Sequence, residues 1–114
     1  MEHINNEAVN HGTIHWADVG GNHVQYGNAS GGIDFSQYHV YAVEWDSAAI
    51  RWYVDGVKYN EANILGGINN TGAFQNPFFL IYNLAVGGQW PGNPDGSTVF
   101  PQQLSVDYVR VYRK

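Results

Sequence analysis

The first sixteen residues, MEHINNEAVNHGTIHW, hold carboxylates at Glu2 and Glu7, histidines at 3, 11 and 15, and an indole at Trp16. A carboxyl group close to an imidazole is the material of general acid–base chemistry. His11 and His15 are four apart, so on an extended strand they share a face. Joined by His3 or His23 they have the composition of a metal site. No HExxH pattern and no cysteine accompany them, so polar strand positions are the plainer reading. Further along, Trp90 lies in VGGQWPGNP, between a glycine pair and prolines, where no strand would bury it. An indole held on a loop is a stacking surface for the apolar face of a sugar ring. Trp16, close to Asp18 and the Gly20-Gly21 loop, is a second indole of that kind, and Asp18 is a second acid that a cleft could use. Trp45 and Trp52 lie in alternating runs and read as core.

These residues need a frame. The chain has 114 residues, 44% hydrophobic and 15% aromatic, which suits one folded domain, 1–114, rather than disorder. With 14 glycines and no helical periodicity, the composition points to an all-β chain with tight turns. The runs HGTIHWAD and His23–Tyr26 predict short strands. YHVYAVEWD alternates, with His39, Tyr41, Val43 and Trp45 on one face. AIRWYVDGVKYNEA predicts a hairpin, because Asp55-Gly56 suits a two-residue turn whose central positions both need positive φ. NPFFLIYNLAVGG is near-continuously apolar and predicts a strand covered on both faces. QLSVDYVRVYRK predicts a last alternating strand. Strands joined by glycine-rich turns, one of them needing cover on both faces, predict a β-sandwich.

Composition also bounds the partners. The net charge is −5 with only five Lys and Arg, which disfavours nucleic acid. Charged residues are 13%, while Asn, Gln, Ser, Thr, Tyr and Trp are plentiful, a surface suited to neutral hydroxyl-rich ligands. No apolar run is long enough to cross a membrane as a helix, no signal peptide is evident, and without cysteine the chain cannot use disulfides.

The stretches MEHINNE, HGTIHW, HVYAVEWD, IRWYVDGVKY and NPFFLIYNLAVGGQWPGNPDGSTVFPQQLSVDYVRVY, taken in order, resemble the C-terminal half of glycoside hydrolase family 16, closest to the bacterial laminarinases, which are endo-1,3-β-glucanases. The resemblance implies a concanavalin A-like β-jelly roll whose concave sheet forms an open glucan cleft. The substrate it implies is β-1,3-glucan or mixed-linkage glucan, and the parent enzyme it implies is extracellular. The family's catalytic strand reads E-x-D-x-M-E, and a β-bulge within such a strand brings its last carboxylate onto the face of the first two. Met1-Glu2 matches the end of that motif, so Glu2 matches the general acid/base. The nucleophile and assisting Asp would precede Met1, and the chain is expected to begin inside the active-site strand as a truncated half of the fold. A retaining glycosidase needs two carboxyl groups about 5–5.5 Å apart, so such a chain is expected to be inactive alone. His15 matches a histidine beside the acid/base, and Trp16 a cleft-edge segment. Asn83 matches a polar residue on the cleft floor, and Trp90 the stacking aromatic with Gln89 beside it. Asp107 matches a carboxylate that helps to hold a structural Ca²⁺, and the chemistry itself needs no cofactor. A jelly roll cut in mid-strand exposes edges and apolar faces, so a homodimer, or pairing with the missing N-terminal half, is expected.

Overall fold

The computed structural model describes residues 1–113. It divides into two compact units, Met1–Phe78 and Phe79–Lys114. The first holds all the regular structure among the described residues. Strands β1 (His11–Ala17) and β2 (His23–Ala29) form an antiparallel pair, and β3 (Tyr41–Trp45), β4 (Ala49–Val54) and β5 (Val57–Asn63) form an antiparallel sheet in that order. The architecture is thus predominantly β, two small sheets in a partial sandwich that does not close among the described residues.

The β4–β5 hairpin follows from its turn. Asp55 and Gly56 both take positive φ, 50° and 79°, the left-handed backbone that Asp tolerates and Gly adopts freely. Val54 then pairs with Val57, and the register continues, with one bulge at Trp52/Tyr53, to Ala49 opposite Asn63. Alternation buries Ile50, Trp52 and Val54 of β4 and Asn60 and Ala62 of β5 on one face. Against that face lies β1. Ile14, Ile50, Trp52, Ala62, Ile64 and Phe74 make the core, with Trp16 and Tyr59 packed on it. Burying side chains such as Trp52 and Ile64 contributes roughly 1.5–3 kcal/mol each.

The two sheets meet closely because β1 offers a glycine. A Cβ on Gly12 would lie 2.7 Å from the Tyr59 hydroxyl and 2.8 Å from the Trp52 ring. Polar ties close the same seam. The Asn60 amide donates to the Gly12 carbonyl at 2.8 Å, the Tyr59 hydroxyl donates to Asn10 Oδ1 at 2.9 Å, and the Asn28 amide donates to the Tyr59 carbonyl at 3.3 Å.

Several sequence expectations need correction. Residues Leu65–Gln75 form short 3₁₀ turns, where the sequence pattern predicts no helical structure. Gly66, Gly67, Asn69 and Asn70 take left-handed φ inside this segment, so it never becomes a continuous helix, and its pattern carries no helical period. Trp52 is buried, as expected, but Trp45 is 43% exposed. Tyr41, Val43 and Trp45 share the inner face of the sheet with Val54, Trp52 and Ile50, yet the polar ties from β1 and β2 fall on β5, with Gly12 close against Trp52 of β4, and β3 stands at the margin. Trp45 is held by its indole N–H, which donates to the Phe74 carbonyl at 2.9 Å, and by an edge contact with Phe78.

NPFFLIYNLAVGG, which runs from the end of the first unit into the second, and QLSVDYVRVYRK are not strands among the described residues, and Lys114 lies outside them. Phe79, Ile81 and Tyr112 are exposed. A strand covered on both faces needs a layer on each side, and a unit this short supplies neither. Its local order comes from turns, such as that at Asp95, whose carboxylate accepts from the Ser97 amide and hydroxyl.

Candidate functional site

The outward face of the β1–β2 pair gathers the chemistry. Glu2 joins β1 through an isolated antiparallel bridge to His11, with backbone bonds of 2.8 and 2.7 Å in the two directions. Residues opposite one another in a bridge share a face, as do alternate residues of a strand. Glu2, His11, Thr13 and His15 therefore line the outward face, while Gly12 and Ile14 turn to the core. The register sets Gln25 opposite His15 and His23 opposite Ala17, on the same outward face. Glu2 and His15 thus share a face but stand at opposite ends of β1.

Within this face the histidines have partners. His11 Nε2 lies 2.7 Å from a Glu7 carboxylate oxygen. His15 Nδ1 lies 3.1 Å from His23 Nε2, with the two rings nearly parallel. His3 takes no part: it stacks on Phe35 and bonds the Glu7 carbonyl. Asp18 is committed to the β1–β2 turn. Its Oδ1 accepts from the Asn22 and Gly20 amides at 2.9 and 2.8 Å. Hydrogen bonds from Asn22 above all, and then Gly20 and Gly21, hold its carboxyl below the usual range, which suits a turn acceptor rather than a proton donor.

At the His15 end of the strand opens a cleft of about 450 Å³, lined by His15, Trp16, Asn70, Phe74 and Phe78 among others. Phe74 and Phe78 stack, and Trp16 meets Phe74 edge-on. Trp16 is half-buried, and its indole N–H donates to the Asn69 carbonyl at 2.8 Å. The Asn70 amide reaches the Ala17 carbonyl at 2.7 Å, which fastens the 3₁₀ segment to the end of β1. Aromatic walls with a few fixed polar groups suit a ligand with apolar faces and hydroxyls. Phe74 and Phe78 are functional candidates that sequence reasoning missed. Phe78 lies in a run that reads as strand interior, and Phe74 in a segment without periodicity.

The remaining predicted site residues belong to the second unit. Asn83, Gln89, Trp90 and Asp107 are all exposed there. Trp90 is 58% exposed, on a turn whose flanking Gly87, Gly88 and Gly92 take positive φ. Among the described residues no group of three or more His, Cys, Asp or Glu side chains is placed to hold a metal ion, so Asp107 is not part of such a cluster.

The family model for glycosyl hydrolases family 16 matches residues 2–110. The chain belongs to that family. Among curated relatives, it is 46% identical over 117 residues to the clotting factor G alpha subunit of Tachypleus tridentatus, covering 99% of this chain and 17% of that protein. It is 40% identical over 129 residues to a beta-glucanase of Rhodothermus marinus, covering 99% and 43%. To a keratan-sulfate endo-1,4-beta-galactosidase of Sphingobacterium multivorum it is 38% identical over 122 residues, covering 99% and 27%. The chain spans less than half the length of each of these relatives.

Proposed function

We propose that this chain is a β-glucan-binding portion of a family 16 fold that holds glucan without cutting it. The observation that carries the reading is the aromatic cleft, where the half-buried Trp16 and the exposed Phe78, seated on the buried Phe74, offer flat faces beside the His15 imidazole. Pyranose rings present apolar C–H faces and equatorial hydroxyls, which such a wall complements. Trp90, with Gln89, adds a second stacking surface, and Asn83 a polar contact. Among the relatives' substrates, a neutral glucan fits better than a sulfated galactan. Five Lys and Arg against a net charge of −5 give little to hold a polyanion. The family's membership supports a carbohydrate ligand, and the beta-glucanase among the relatives supports glucan. The reading needs no cofactor, and a structural Ca²⁺ at Asp107 would require further oxygen donors around that carboxylate.

One observation favours a second reading, in which Glu2 is the acid/base of a retaining endo-1,3-β-glucanase that acts outside the cell. Glu2 shares its face with His11 and His15. A retaining step, however, needs a second carboxylate about 5–5.5 Å away. Glu7 is engaged by His11 and Asp18 by its turn, so neither is set up as nucleophile. The bare inner face of β3 also supports association with a second copy or with the remainder of a longer protein.

The test is titration of laminarin, mixed-linkage β-glucan and keratan sulfate, followed by tryptophan fluorescence and by reducing-sugar release. Saturable binding of the glucans, without release of reducing ends, is expected. Release abolished by Glu2→Gln would establish the hydrolase reading instead. Preferential binding of keratan sulfate would remove glucan as the ligand.

A further inference from the structure

We infer that His15 and His23 form a two-histidine site for a divalent transition metal ion of the zinc, nickel or copper class. The pair is built by the sheet. His15 stands opposite Gln25 and His23 opposite Ala17, so the two histidines are diagonal neighbours on one face of adjacent strands, where long side chains meet. His15 Nδ1 and His23 Nε2 are 3.1 Å apart. A metal bound to two imidazole nitrogens at about 2.0–2.1 Å, with that separation between them, subtends an angle of about 95–102°. That lies between the tetrahedral and square-planar values, so the nitrogens already stand as far apart as two adjacent ligands of one ion. Both rings are exposed, so turning each by about 40°, from facing the other ring to facing one shared ion, meets no packed core.

The protonation is consistent. One ring holds a proton between the two nitrogens, and the other accepts. Binding requires His15 to carry its proton on Nε2 and His23 on Nδ1. The ring that donates in the free protein therefore shifts its proton to its other nitrogen, and no net proton is lost. Gln25, across from His15 on the same face, carries an amide oxygen, and solvent completes the sphere. Imidazole donors select zinc, copper and nickel over magnesium and calcium, which take oxygen ligands. The other histidines are differently placed. His11 faces the Glu7 carboxylate, His3 stacks on Phe35, and both ring nitrogens of His39 face oxygens of Asp34 and Asp55.

The site does not rest on the glucan reading, although it shares His15 with the cleft. Zn²⁺ is titrated calorimetrically into the full chain carrying His3→Gln, which removes an imidazole close to the amino terminus. One equivalent is expected to bind. His15→Gln and His23→Gln are each expected to weaken binding at least tenfold, while His39→Gln leaves it unchanged and Mg²⁺ does not compete. Binding that survives either substitution, or an affinity lost equally in His39→Gln, overturns the site. The second measurement needs no variant at the pair. Substoichiometric Ni²⁺ is expected to broaden the ring proton signals of His15 and His23 before any other histidine. Broadening that begins at His11 or His39 overturns the proposal as well.

Discussion

Adding a single methyl group at position 12 tests how the two sheets meet. In Gly12→Ala the new Cβ would stand 2.7 Å from the Tyr59 hydroxyl and 2.8 Å from the Trp52 ring, about 0.6–0.7 Å inside ordinary contact. Neither neighbour is the loose end of a flexible chain. Trp52 is 3% exposed, and the Tyr59 hydroxyl is held on Asn10 Oδ1. Forcing a methyl into such a seam costs about 1–3 kcal/mol. Against that, replacing glycine in a strand recovers about 0.5–1 kcal/mol of backbone entropy. The net loss is about 0–2.5 kcal/mol, centred on about 1 kcal/mol, and each kcal/mol lowers the Tm of a unit of this size by about 4–8 °C. Thermal unfolding followed by tryptophan fluorescence reads it directly. A double-mutant cycle with Tyr59→Phe sharpens the test. Tyr59→Phe alone loses a hydrogen bond worth about 1 kcal/mol. In the Gly12→Ala background it also removes the atom nearest the added methyl, so it should cost less there by at least about 0.5 kcal/mol. A Gly12→Ala melt indistinguishable from wild type, or strict additivity in the cycle, would refute the account of the seam.

Further outcomes are expected elsewhere. The Asp55 carboxylate first, and then the Asp34 carbonyl, raise the pKa of His39. The clamp is therefore at full strength below the ordinary histidine pKa of about 6.5 and is lost as pH rises through the higher folded value. Melts from about pH 5.5 to 8.5 should show the wild type losing stability relative to His39→Gln across that rise, and parallel profiles would disprove it. Ile64 is fully buried, so Ile64→Ala should cost about 2–5 kcal/mol in denaturant unfolding. Phe78→Ala, at an exposed cleft residue, should weaken laminarin binding more than Trp90→Ala if the cleft is the main stacking surface; the reverse order in a fluorescence titration moves that role to the loop. Sedimentation equilibrium at micromolar concentration should show association, which Val43→Lys on β3 should reduce.

The sequence spoke most clearly where a local rule governed the outcome. Asp55-Gly56 carries its own turn geometry, and the flanking alternation then settles which side of β4 is buried, so that hairpin is legible residue by residue. Trp45 shows the limit of the same rule. Alternation names the face but not whether another sheet reaches over it, and β3 stands beyond the cover that β1 and β2 provide. The apolar FFLI run misleads for a related reason, since apolar content states a need for cover without supplying it. At the candidate site, Glu2, His15 and Trp16 are visible because their side chains can do chemistry. The His15–His23 pair depends on strand register, and Phe74 and Phe78 on how a left-handed Gly/Asn segment folds back. Neither relation is written in residue spacing.

The way β1 is fastened has a consequence for how such a surface can diversify. Beside the inward Ile14 and Trp16 side chains, its attachments include the Gly12 carbonyl, which accepts from Asn60, the Ala17 carbonyl, which accepts from Asn70, and the empty space where Gly12 lacks a side chain. The two main-chain oxygens persist whatever side chains the outward face of the strand carries. Thr13, His15 and Ala17 point the other way, and their replacement removes none of those attachments. A lineage can therefore rewrite the outward residues of this strand, and with them the ligand it favours, while the strand stays seated on the same core. The inward positions have no such latitude, because there a single added carbon already collides.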